Sequence, residues 1–393
     1  MHNRKIFSEL KTHLLQQQIT VLTGMRRVGK TTALYYLLDQ IDHNNKVFID
    51  LEKIEHRHIF TLSSYQETQI ELEILGIDFS RKAVIALDEI QLVPQITSVI
   101  KYFYDHFPIK FLVTGSSSFY MKGRFSESLA GRKRIFEMYP LDFVEFLEFN
   151  GKDTHIIRKY AFQSFQRGIY LKFKDDYEEF IRFGGFPEVV IAQSKNDKIA
   201  YLKDIINAYI ELDIKLLSDF EASYDLYALI RLLAARVASP IELSKLSSIL
   251  GIKRNKVKQY LQLLEKTYFI LTVPPYSRNI DGEIKHRKKI YLSDTGILNI
   301  LAQVSSGQVF ENAIAVQLKH IGELNYYQKI SGQEIDFILD TQQAVEVQET
   351  PAESDLHKLN RRARQISMEK KALVGRYPPA NGFIDFIWGG NIG

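Results

Sequence analysis

The residues Gly24-Met25-Arg26-Arg27-Val28-Gly29-Lys30-Thr31 have the G-x-x-x-x-G-K-[ST] spacing of a phosphate-binding loop. The chemistry explains the spacing. Gly24 and Gly29 let the backbone curl so that its N–H groups point inward, Lys30 brings an ammonium to the β- and γ-phosphates, and Thr31 offers a hydroxyl to magnesium. Arg26, Arg27, Val28 and Thr32 complete the expected nucleotide contacts. An apolar strand precedes the loop and a helical run, Thr32 to Leu38, follows it, so the positive end of a helix adds to the anion site.

A second constellation lies further on. Val84-Ile85-Ala86-Leu87 reads as a buried strand that delivers Asp88 and Glu89 to its C-terminal end, the edge where α/β sheets bind ligands. Asp88 is expected to hold magnesium through water, and Glu89 to orient and deprotonate an attacking water. The run Lys110 to Thr114 ends in Thr114-Gly115-Ser116-Ser117-Ser118, where Thr114 is either a sensor of the γ-phosphate or the start of an ordinary Gly-Ser turn. Arg132, in Leu129-Ala130-Gly131-Arg132, is either an arginine finger acting in trans or a surface salt bridge, and Arg124 is the rival finger. ATP and Mg2+ are the cofactors these residues imply.

The elements that must hold these residues follow from hydrophobic periodicity. Ile19 to Thr23, Val47 to Leu51, Val84 to Leu87, Lys110 to Thr114 and Ile135 to Met138 read as strands separated by helices, the pattern of a parallel sheet covered on both faces. This gives an α/β P-loop domain over 1–140. Residues 141–220 lose the strand signal and read as a helical lid. Residues 221–300 read as a winged helix: Ser239-Pro240-Ile241-Glu242 starts a helix, Leu250-Gly251-Ile252 turns, and a basic helix follows. Tyr268 to Val273 and Lys288 to Leu292, joined around Asp281-Gly282, form the wing. Residues 301–393 read as a second α/β unit, with a helix from Phe310 to His320, strands near Asn325, Glu334 and Ala344, and a helix from Asp355.

Composition narrows the class. The chain has 393 residues, 45% hydrophobic and 25% charged, which suits a folded multidomain protein and excludes disorder. With no cysteine there are no disulfides, thiolate metal sites or cysteine nucleophiles. No run approaches about 18 apolar residues, and Met1-His2-Asn3-Arg4-Lys5 does not open a signal peptide, so a cytoplasmic protein without membrane contact is expected. A net charge of +4 permits nucleic-acid contact only where it clusters.

The ordered set resembles prokaryotic AAA-family (AAA+ type) ATPases that carry a C-terminal restriction-endonuclease-like domain of unknown function. The resemblance rests on Gly24 to Thr31, Leu87-Asp88-Glu89-Ile90-Gln91, Thr114-Gly115-Ser116-Ser117, Leu129 to Arg132 followed by Tyr139-Pro140-Leu141-Asp142-Phe143, Gly184-Gly185-Phe186-Pro187-Glu188, and Glu334-Ile335-Asp336-Phe337. It implies ATP binding, and it makes Phe186 and Pro187 candidates for an adenine contact; otherwise Gly-Gly-Phe-Pro is a rigid turn. Lys253, Arg254, Lys256, Lys258, Gln259, Lys285, Arg287, Lys288 and Lys289 either meet DNA phosphates or form a solvated face.

Asp336 on one strand, with Glu346 and Gln348 on one face of the next, resembles a D…E-x-K nuclease centre in which the lysine is replaced by Gln348. Asp336 and Glu346 are the expected metal ligands, with Glu311 as a further one, and hydrolysis is not expected; the module is otherwise an inactive nucleic-acid-binding remnant or a structural or protein-docking domain. The leading expectation is an ATPase that couples nucleotide state to nucleic-acid binding or remodelling. The alternative is a nucleotide-dependent signalling switch or protein scaffold without DNA contact.

Overall fold

Short runs of β-branched and aliphatic residues build the first sheet from strands β1 (Ile19–Gly24), β2 (Lys46–Asp50), β3 (Ala83–Asp88), β4 (Ile109–Gly115) and β5 (Lys133–Met138). Their order is β2-β3-β4-β1-β5, and every pairing is parallel. β1, β3 and β4 lie inside the sheet and are buried at every residue, which is why their sequences run apolar without alternation. The edge strands β2 and β5 are only partly buried. The helix Ile96–His106 presents Ile96, Ile100 and Phe103 to a core that includes Ile49, Ile85, Phe111 and Val113. Each such side chain contributes about 1.5–3 kcal/mol on burial.

The computed structural model describes residues 2–115, 129–214, 222–277, 287–329 and 332–392. Ser116, Ser117, Ser118, Arg124, the Asp281-Gly282 turn and Lys285 lie outside the described residues. Two compact units are formed, one by Met1–Tyr139 with Lys266–Tyr268 and one by Pro140–Glu265 with Phe269–Gly393. Among the described residues no helix is long and apolar enough to cross a membrane.

At the N-terminal end of the first sheet, away from the loop, Lys110 is buried. Its Nζ donates to the carbonyls of His13, at 3.1 Å, and of Gln18. Burial, aided by the charge of Lys82, pushes the Lys110 pKa down to about 7. An unfolded lysine keeps its proton to about pH 10.4, so between these values the unfolded chain binds more protons and stability rises with pH. The slope from this one group is at most about 1.4 kcal/mol per pH unit. Unfolding midpoints of wild type should therefore climb from pH 7 towards pH 10 relative to Lys110→Met; parallel pH curves would refute this.

The second unit begins with helices, as the sequence implies. Phe143–Phe149 opens with a capping box in which Asp142 accepts from Glu145 N at 2.8 Å, and Arg167–Phe183, Pro187–Ile191 and Lys195–Ala208 follow. Gly184-Gly185 is needed for close packing: a Cβ on Gly184 would lie 2.1 Å from Asp294 Oδ1, and one on Gly185 would lie 2.1 Å from the Leu141 carbonyl. Asp294 also accepts from Gly185 N, at 2.7 Å, and caps the helix Thr295–Leu301.

The helices Ala222–Ala234, Leu243–Leu250 and Arg254–Lys266 precede the antiparallel hairpin of β6 (Ile270–Val273) and β7 (Lys289–Leu292). After the helix Ser306–Lys319, a mixed sheet takes the order β12-β11-β10-β9-β8 from β8 (Leu324–Gln328), β9 (Glu334–Leu339), β10 (Gln343–Gln348), β11 (Lys370–Gly375) and β12 (Ile387–Trp388), with the helix Glu353–Gln365 between β10 and β11. β8, β9 and β10 pair antiparallel, whereas β10, β11 and β12 pair parallel. Trp388 packs edge-on against Phe143, Tyr170 and Tyr177, so the end of the chain shares its aromatic core with the first helices of this unit.

Candidate functional site

Parallel strands bring their C-terminal ends to one edge of the first sheet, and the expected residues gather there. Gly24 ends β1 with φ +149°, and a Cβ there would lie 2.1 Å from the Met138 carbonyl, so glycine alone fits. Gly29 has φ +98° and precedes the helix Lys30–Asp39, so the N-terminus of a helix follows the loop directly. Arg27 is also left-handed, with φ 63°. Lys30 Nζ donates to the carbonyls of Met25, at 2.7 Å, and Gly24, at 3.2 Å, which places the ammonium in the cup of the loop.

Thr31, Asp88 and Thr114 form a chain of hydrogen bonds. Thr31 Oγ1 donates to Asp88 Oδ2 at 2.6 Å, Thr114 Oγ1 donates to Asp88 Oδ1, and Glu89 N donates to Thr114 Oγ1 at 3.1 Å. Thr114 is therefore fixed by two groups of the site, the Asp88 carboxylate and the Glu89 N–H. Burial raises the Asp88 pKa, opposed by the hydrogen bonds from Thr114 and Thr31. A hard cation beside the Thr31 hydroxyl and the Asp88 carboxylate would favour the ionised form, so these oxygens fit magnesium.

Glu89 stands at φ 56°, a strained backbone that turns the chain sharply out of β3. Its Oε2 accepts from Gln91 Nε2 and lies 3.9 Å from a guanidinium nitrogen of Arg26. Arg26 also pairs with Glu52 at 3.4 Å. The guanidinium expected on phosphate thus faces two carboxylates. Glu52 carried no signal of its own in the sequence, and Gln91 only as the end of the Leu87-Asp88-Glu89-Ile90-Gln91 run.

Arg4 is the larger omission. Its side chain is buried, Nη1 donates to the Val28 carbonyl at 2.9 Å and Nη2 to the Tyr139 carbonyl at 3.0 Å, so it clamps the loop from outside. Arg132 pairs in its own chain with Asp105, at 2.8 and 3.2 Å. Pro187 belongs to the second unit, where it starts the short helix Pro187–Ile191. Val28 is buried and Thr32 is exposed on the first helical turn.

The acidic centre of the second unit departs from expectation. Asp336 Oδ2 accepts from Val347 N at 2.7 Å, and Glu346 Oε1 is held by Arg362 at 2.9 Å. Among the described residues no three acidic or histidine side chains are grouped to hold a metal ion. One oxygen of each expected ligand is already engaged, Asp336 Oδ2 by a backbone N–H and Glu346 Oε1 by a guanidinium. The loss of lysine at Gln348 does not leave the centre without a cation, since Lys289 enters it from β7.

The basic set expected to meet DNA is also partly spoken for. Lys256 pairs with Asp225 at 2.9 Å, Arg287 with Glu242 at 3.1 Å and Lys288 with Glu265 at 3.1 Å, and Lys289 is buried.

Residues 16–147 match a family model described as an AAA domain, and residues 174–308 match one described as a domain of unknown function (DUF8612). An uncharacterized protein of Haemophilus influenzae is 26% identical over 357 residues, covering 86% of this chain and 85% of that protein. An uncharacterized protein of Methanocaldococcus jannaschii is 25% identical over 342 residues, 84% of this chain and 74% of its own length. Among solved structures, the ADP form of Aeropyrum pernix ORC2 gives a TM-score of 0.39 at 12% identity, over 77% of this chain and 94% of that one. The Thermotoga maritima RuvB Holliday junction branch migration motor gives 0.34 at 18% identity, over 69% and 90%.

Proposed function

We propose that this chain, whose residues 16–147 match a model described as an AAA domain, binds Mg-ATP at Gly24–Thr31 and hydrolyses it with Glu89 as the general base. The observation that carries the reading is the bonded series Thr31–Asp88–Thr114 with Glu89 hung from its end. The loop N–H groups and Lys30 bind the phosphates, and Thr31 and Asp88 would hold magnesium, which would supply positive charge to the phosphates. Glu89 takes a proton from the attacking water, and Thr114 keeps the backbone of Glu89 in place. Arg132 serves a neighbouring copy once it leaves Asp105, an exposed pair that water screens.

Nucleotide state is coupled to nucleic-acid binding or remodelling through the helices Leu243–Leu250 and Arg254–Lys266, read as a winged-helix unit with the β6–β7 hairpin. Lys253, Arg254 and Lys258 are exposed on this unit and supply the phosphate contacts. The in-chain pairs of Lys256, Arg287 and Lys288 favour the second reading, a nucleotide-dependent switch that meets protein and not DNA. ATPase rate with and without duplex DNA, at several salt concentrations, separates the two. DNA stimulation that fades as salt rises supports nucleic-acid coupling, whereas a rate indifferent to DNA at low salt supports the switch.

A further inference from the structure

Lys289 opens β7 with its side chain only 3% exposed. A buried ammonium costs several kcal/mol in lost hydration unless carboxylates surround it. Here they do. Its Nζ is ion-paired with Glu334 and lies 3.5 Å from Glu311 Oε1, while the ring of Tyr326 stands 5.4 Å away. Tyr291, on the same face of β7, donates to the same oxygen of Glu311 at 2.7 Å. Asp336 shares the face of β9 with Glu334, two residues on. These acids come from the helix Ser306–Lys319 and from β9, so one amine joins the hairpin to the helix and the C-terminal sheet.

We propose that the Lys289 ammonium is the resident cation of this acidic centre and stands where the nuclease-like pattern expects a divalent metal. Two cations divide the charge: Lys289 serves Glu311 and Glu334, and Arg362 serves Glu346. The carboxylates of Glu334 and Glu311 against the amine offset the cost of burying it as a cation. The centre is then a structural tie that needs no metal.

The test uses the full chain without nucleotide, with Mn2+ as the probe counted by electron paramagnetic resonance and melting followed in EDTA. Wild type is expected to show no Mn2+ site that Asp336→Asn removes. Lys289→Met is expected to melt lower in EDTA and to gain a Mn2+ site, at least about tenfold tighter than any in wild type, that Asp336→Asn abolishes. A wild-type Mn2+ site lost in Asp336→Asn would overturn the proposal. So would a Lys289→Met protein that melts like wild type in EDTA, or one that is destabilised yet gains no Mn2+ site, since the amine would then be packing alone. Should Lys289→Met fail to fold, the wild-type titration against Asp336→Asn decides by itself. Because this centre lies in the second unit, the result is independent of whether the first unit hydrolyses ATP.

Discussion

Glu89→Gln should hold ATP about as well as wild type, within about a factor of three, while phosphate release slows by roughly 10²- to 10⁴-fold. The amide keeps the shape of the side chain, and its oxygen can still accept from Gln91 Nε2. The backbone bond from Glu89 N to Thr114 Oγ1 is untouched, so the turn out of β3 should survive. What is lost is the ability to accept a proton from water. Nucleotide affinity measured beside phosphate release separates the two effects; turnover at the wild-type rate would remove Glu89 from the reaction.

Lys30→Ala should weaken ATP binding by roughly 10- to 100-fold, since hydrogen bonds to charged groups are worth about 1.5–3 kcal/mol. In the structure the same ammonium bonds the Gly24 and Met25 carbonyls, so its removal also takes two braces from the loop. The clamp by Arg4 on the Val28 carbonyl remains, as does the left-handed turn at Gly29, and the fold should persist. Equilibrium titration with a fluorescent ATP analogue, alongside melting of the protein alone, reads both. Unchanged affinity in a well-folded variant would mean that the phosphates lie elsewhere.

How much of this was legible in the sequence depended on the range of the interaction. β1, β3 and β4 announce themselves because strands buried on both faces are mostly apolar and do not alternate. The loop and the Asp88-Glu89 pair are local patterns with fixed chemistry, and the sheet topology then places them together. β11 and β12 were not read: β11 begins with exposed Lys370 and Lys371, and β12 has only two residues. Arg4 is 24 residues from Val28 and 135 from Tyr139, so no spacing rule links them. The same holds for Lys289, 45 residues before Glu334, whose position beside Lys288 in a basic run suggested a solvated charge. Residue type identified possible partners, but only the tertiary fold decides which charges meet.

The central claim is hydrolysis at the Thr31–Asp88–Glu89 edge, and release of inorganic phosphate from ATP by the purified full chain tests it most directly, in Mg2+ and then in EDTA. The account predicts steady Mg2+-dependent release that is lost in Glu89→Gln, with ATP still bound by that variant. ATP bound by the wild type with no phosphate released above background would contradict it, and would leave the loop as a nucleotide-holding element of a switch.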